Sequence, residues 1–157
     1  MTHYTTDISW ERGEQDFVRG RYSRAHSLRF DGGVEMTGSS SPHVVPLPWS
    51  DAAAVDPEEM FVAAIASCHM LWFLSIAAKK HYCVDSYRDH AVGEMGKNAG
   101  GKLVVTRVTL HPAVVFSGES VPDAYALNVL HHEAHNECFI ANSVKSEILC
   151  EPVFLSA

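Results

Sequence analysis

Between Asp56 and Lys80 the chain reads DPEEMFVAAIASCHMLWFLSIAAKK, and from Met60 to Ala78 it carries no charge unless His69 is protonated. Asp56 can accept from the free amides of a first helical turn, and Pro57 sits where a missing N–H costs nothing. Glu58 and Glu59 lie at the positive end of the helix dipole, and Lys79 and Lys80 at the negative end. A helix that is apolar on every side must be covered on every side. The stretch is therefore expected to be a central helix. Its uncharged run is close to the length that crosses a bilayer. Ser67, His69, Ser75, five alanines and the flanking charges favour a capped soluble helix instead. Cys68 falls on the helical line Phe61, Ala64, Ile65, Cys68, Trp72, Ile76.

The surrounding 157 residues suit a single domain spanning 1–157, with 46% hydrophobic and 20% charged residues. A formal net charge of -7 argues against nucleic acid or an anionic membrane as the main partner. With no basic-then-apolar leader, a cytoplasmic location is expected. Cys68, Cys83, Cys138 and Cys150 are too few and too scattered for a secreted disulfide scaffold, and no CxxC pair occurs. In a reducing cytosol such cysteines are inert core or redox chemistry.

Residues 1–20 suggest one or two short strands with Ile8, Trp10, Phe17 and Val18 inward. Tyr22, Arg24, His26, Leu28 and Phe30 share one parity of an extended segment. Asp31-Gly32-Gly33 turns it into a hairpin with Val34-Glu35-Met36. Thr37 to Trp49 reads as a loop. Tyr82 to Val92 reads as a strand, Gly93 to Gly101 as a turn, and Lys102 to Phe116 as β-structure in which Pro112 suggests a bend or an edge position. A second helix is predicted from about Pro122-Asp123 to Glu137, with Leu127 and Leu130 buried. Cys138 to Asn142 ends it, and Ser146 to Leu155 closes as a strand, its Pro152 favouring an edge. Strands, a long helix, strands, a helix and a strand make an α+β domain, with strands packed around the apolar helix.

Two segments carry chemistry: DPEEMFVAAIASC, with Glu58 ten residues before Cys68, and HHEAHNECFIANSVKSEI, with Cys138 three residues after His135. Together they resemble the OsmC/Ohr family, the osmotically induced and organic-hydroperoxide-resistance proteins. The resemblance spans most of the chain, from the glycine-turned hairpin to the second helix. It implies thiol-dependent reduction of organic hydroperoxides, with Cys68 attacking the peroxide and Cys138 resolving to a disulfide. Glu58 would match the family's acidic site residue, and Arg24 its N-terminal arginine, with Arg19, Arg21 and Arg29 nearby in sequence. Members usually carry proline directly after the second cysteine, where this chain has Phe139.

The chemistry fits those residue types. Only a thiolate attacks O–O, and a thiol in apolar surroundings resists ionisation unless a cation stands near. Arg24 would supply that cation and bind the peroxide oxygens, and Glu58 would orient the guanidinium. Ten helical residues rise about 15 Å, so Glu58 cannot reach Cys68 along its own helix. A second subunit is the economical solution, and the resemblance implies an intertwined homodimer. Phe61, Trp72 and Phe139, with Met70 and Phe73, would favour alkyl substrates, and His26 would line the site beside Arg24. The resemblance implies an external dithiol reductant of lipoyl type. No bound cofactor and no metal are required.

Blander readings stand beside these. A cysteine in such a helix is commonly a small buried apolar residue, and Cys83 and Cys150 read as core thiols. His131 and His135 lie one helical turn apart and invite a metal reading. HEAH is one residue short of HExxH, and histidines on an exposed polar face are common. Glu133 and Glu137 read as a solvated face, and His135 as packing near Cys138. The rival functions are a non-enzymatic OsmC-like binding or redox-sensing module, and a histidine-based metal protein.

Overall fold

The computed structural model describes residues 1–154 and is an α+β fold. Its backbone groups into two compact units that divide inside the long helix, the first Met1–Met60 and the second beginning at Phe61. The predicted strand end at Leu155 lies outside the described residues.

The first unit is an antiparallel sheet ordered β1 (Thr6–Ser9), β2 (His26–Phe30), β3 (Glu35–Gly38). Gly33 at φ 86° closes the β2–β3 turn, and Phe30 and Val34 bond across it. A side chain at Gly38 would meet His26 Nε2 and Leu28 Cδ1 at 2.5 Å, so this hairpin end requires glycine. The predicted inward set fails here. Ile8 is 64% and Val18 95% exposed, and Trp10 and Phe17 pack on Tyr22 at the surface. Of these only Ile8 lies in a strand, the four-residue β1, while Phe17 and Val18 fall in turns.

Helix α1 runs Pro57–Lys79. Glu59 N donates to Asp56 Oδ1 at 2.8 Å and Asp56 N to Glu59 Oε2 at 3.0 Å, a reciprocal capping box. The helix is long and apolar enough to span a membrane by length and composition. Within one chain only Ile65, His69, Phe73, Ile76 and Ala77 are buried, a single stripe. The all-round cover expected of it is not seen among the described residues.

The second unit continues with β4 (Cys83–Asp89), β5 (Val92–Lys97), β6 (Leu103–Leu110), β7 (Pro112–Ser117), helix α2 (Ala124–Glu137), a 3-10 turn at Ala141–Ser143, and β8 (Glu147–Cys150). β4 and β7 pair antiparallel. β6 pairs antiparallel with β5 and parallel with β8. The chain changes sheets at His111, just before Pro112, as the predicted bend required. The predicted turn from Gly93 is a strand instead, and the turn itself is confined to Asn98–Gly101, held by Asn98 Oδ1. Gly93 serves close packing, since a Cβ there would lie 2.6 Å from Val62 Cγ2.

Asp123 caps α2 through Ala126 N, and Leu127 and Leu130 are buried as expected. Phe73, Ile76 and Ala77 of α1 pack with Val114, Leu127, Leu130 and Ala134. Ile65 packs with Val108 and Leu110. These two clusters fix α1 against both sheets of this unit.

Candidate functional site

Cys68 lies mid-way along α1, half-buried, and Cys138 is the fully buried C-cap of α2. Both are free thiols. Cys138 is pushed up to about 11, first by burial and then by Cys68, a hydrogen-bonding neighbour and a like charge. Cys138 therefore stays protonated near neutrality and can donate to the Cys68 sulfur. Ala141 N donates to Cys138 Sγ at 3.4 Å, a weak counter-effect. Asn142 Nδ2 donates to the carbonyls of Asn136 and Cys138, fastening the turn that carries the thiol.

One helical turn beyond Cys68, Trp72 meets Phe139 edge to face, with centroids 5.4 Å apart. Phe139 is 67% exposed, which leaves an aromatic surface next to the thiol pair. Phe73 is no part of that surface. It is fully buried and stacks on His131 with centroids 4.3 Å apart. Phe61 lines a separate cavity of about 460 Å³ with Val104, Val105, Val144 and Ser146.

In the first unit, Arg24 and His26 line a pocket of about 400 Å³ with Trp10, Phe17, Tyr22 and Ser39. The Arg24 guanidinium lies 3.7 Å over the Tyr22 ring and donates to the carbonyls of Gly20 and Tyr22. His26 Nδ1 is 2.8 Å from the Arg24 carbonyl. Glu58 is half-buried in the first turn of α1. Among the described residues no ion pair joins it to Arg24. Among the described residues the guanidinium is held by neutral carbonyls, with no carboxylate paired to it.

Sequence reasoning missed a buried polar layer in the second unit. His69 Nε2 and His131 Nδ1 are 3.0 Å apart, and Cys150 Sγ is 3.8 Å from His69 Nε2. His131 is buried beside Phe73, not part of an exposed polar face as expected. The signal was present, because His131 follows Leu127 by four residues and precedes Ala134 by three. Burial, with the neighbouring imidazole adding to it, holds His131 down to about 3. Burial and then His135 hold His69 down to about 4. Cys150 is not a plain core thiol either. Burial, with the charges of Asp89 and Glu151, pushes it up to about 12. Cys83, expected in the core, is exposed at the start of β4. Glu133 is not merely solvated, since it pairs with Lys80 at 2.7 Å. The His135 carbonyl accepts from Cys138 N.

The family model described as OsmC-like protein matches residues 50–152. An OsmC-like protein of unknown function from Vibrio cholerae is 54% identical, with a TM-score of 0.95 over 98% of this chain and 100% of that one. An organic hydroperoxide resistance protein from Elizabethkingia anophelis shares the fold at 18% identity and TM-score 0.67, covering 96% of this chain and 95% of that one. The organic hydroperoxide resistance protein OhrB of Bacillus subtilis does so at 17% and 0.66, covering 97% and 98%. No curated protein matches the sequence.

Proposed function

Because this chain belongs to the OsmC-like family, we propose that it is a thiol-dependent organic hydroperoxide reductase. The observation that carries the reading is the neighbouring pair of free thiols, Cys68 on α1 and buried Cys138 at the end of α2. The Cys68 thiolate attacks the outer oxygen of ROOH, the O–O bond breaks, and the alcohol leaves after protonation. Cys68 becomes a sulfenic acid. Cys138 condenses with it, giving a disulfide and water. An external dithiol of lipoyl type then gives two electrons and two protons, restoring both thiols and becoming a disulfide itself.

The cation that favours the attacking thiolate is Arg24, whose guanidinium is oriented by the carbonyls of Gly20 and Tyr22. The substrate's alkyl group rests on Trp72 and Phe139, whose exposed aromatic surface selects organic hydroperoxides over hydrogen peroxide. His26 lines the polar end. The working form is a homodimer in the cytoplasm, with α1 covered by the second copy.

The test is intact mass and peptide mapping after one equivalent of cumene hydroperoxide. A loss of two hydrogens, with a Cys68–Cys138 crosslink, supports the cycle. Overoxidation of Cys68 without the crosslink removes the resolving role of Cys138. No reaction at Cys68 leaves a non-enzymatic module.

A further inference from the structure

The polar layer behind the thiol pair has no part in that cycle, yet it gathers ligand-type atoms from three elements. His69 comes from α1, His131 from α2 and Cys150 from β8. The three candidate ligand atoms lie within 4.8 Å of one another. We propose that His69 Nε2, His131 Nδ1 and Cys150 Sγ form a binding site for a thiophilic divalent transition metal ion of the zinc type.

The spacing is close to what such an ion needs. A tetrahedral zinc with Zn–N of about 2.0 Å and Zn–S of about 2.3 Å sets N···N at about 3.3 Å and N···S at about 3.5 Å. The two imidazole nitrogens stand 3.0 Å apart, and the sulfur 3.8 Å from His69 Nε2. These two edges differ by a few tenths of an ångström, and the third, from the sulfur to the His131 nitrogen, is within 4.8 Å, so side-chain rotation has to draw Cys150 and His131 together. Two histidines and one thiolate leave a fourth position for water, the pattern of an open zinc site.

The unsatisfied groups point the same way. Buried polar atoms almost always have a partner. Among the described residues His131, 3% exposed, has Nε2 unpaired, and the buried Tyr87 hydroxyl and Asp89 Oδ2 are unpaired too. The facing imidazole nitrogens share one proton. An ion that takes both lone pairs sends that proton to an outer ring nitrogen, and His131 Nε2 is free to receive it. The Tyr87 ring lies 6.4 Å from that of His131, on hand as an outer partner. The Cys150 proton leaves to solvent, so two neutral imidazoles and one thiolate reduce the ion's charge from two to one.

The site is independent of peroxide reduction, and the test keeps the two apart. Reduced, chelator-stripped full-length protein is titrated with Co(II) and followed by absorption. The expected result is one equivalent bound, with a thiolate-to-cobalt charge-transfer band in the near ultraviolet and the visible bands of a four-coordinate ion. Zn(II) should displace it and raise the melting temperature. A Cys68→Ser, Cys138→Ser double variant should keep the charge-transfer band, and Cys150→Ser should lose it. His131→Gln, checked for folding by circular dichroism, should weaken binding at least about tenfold. Wild-type protein that shows no thiolate–cobalt band overturns the site. A band that survives Cys150→Ser, or that vanishes with Cys68 and Cys138, does so as well.

Discussion

His69 and His131 stand ring to ring, Nε2 to Nδ1 at 3.0 Å with their planes 8° apart, each delivered by a different helix. Both lie below the ordinary imidazole value of 6.5, His69 down to about 4 and His131 down to about 3. The unfolded chain therefore binds protons that the folded chain refuses. This contribution to stability is complete above pH 6.5 and is lost as pH falls toward about 4. The slope approaches about 1.4 kcal/mol per pH unit for each imidazole that stays neutral in the fold. Asp89, raised by burial, acts in the opposite direction. Urea midpoints of chelator-treated protein should fall steadily below pH 6.5. His131→Leu should flatten that dependence by about half, and a wild-type midpoint unchanged on acidification would remove the neutral pair.

Gly93 is a packing requirement, not a turn. A Cβ there would sit 2.6 Å from Val62 Cγ2, and a β-branched side chain in a helix has little freedom to move aside. Gly93→Ala should therefore cost about 1–3 kcal/mol in chemical denaturation. Adding Val62→Ala should recover part of the loss, with a coupling of about 0.5 kcal/mol or more. Additive effects in the double variant would place the strain elsewhere.

What was legible in the sequence was local. The Asp56–Glu59 capping box, the Asp31-Gly32-Gly33 turn, the bend at Pro112 and the start of α2 at Asp123 each depend on a few neighbouring residues. Readings failed where a distant contact decides. The glycines of β5 resemble turn chemistry until Val62 is seen against Gly93. His131 looks polar in a run of histidines, while its spacing to Leu127 and Ala134 places it in the core. Ile8, Phe17 and Val18 are apolar, yet they stand exposed. The nearness of Cys68 and Cys138 came from a resemblance between motifs. Physically it depends on how α1 and α2 pack, which no local pattern contains.

Resolution of the sulfenic acid should be slow near neutrality and speed up with pH. Cys138 is pushed up to about 11, and burial remains the leading cause after Cys68 has reacted. Below that value the thiolate fraction rises about tenfold per pH unit. Rapid-mix alkylation after a single hydroperoxide addition should show disulfide formation accelerating by nearly that factor through the mildly alkaline range. Cys138→Ser should accumulate a trappable sulfenic acid at Cys68. Cys68→Ser should lower dithiol-coupled turnover by on the order of 10³ or more. A pH-independent resolution rate would mean that the buried thiol is not the attacking group.

The remaining expectation concerns the uncovered sides of α1. Leu71 is 60% exposed on a helix with no charge in its middle, and Phe139 adds 67% exposure near the C-terminus of α2. Burying one leucine fully is worth about 1.5–3 kcal/mol, so a second copy laid along this helix gains with each such residue it covers. Sedimentation equilibrium at micromolar concentration should give a dimer. Leu71→Glu should weaken the dimer at least about tenfold, because it forces a carboxylate into an apolar contact. The same variant should lose peroxide turnover if the partner completes the site, while one-equivalent oxidation of Cys68 slows but does not vanish. A wild-type monomer would overturn the shared site.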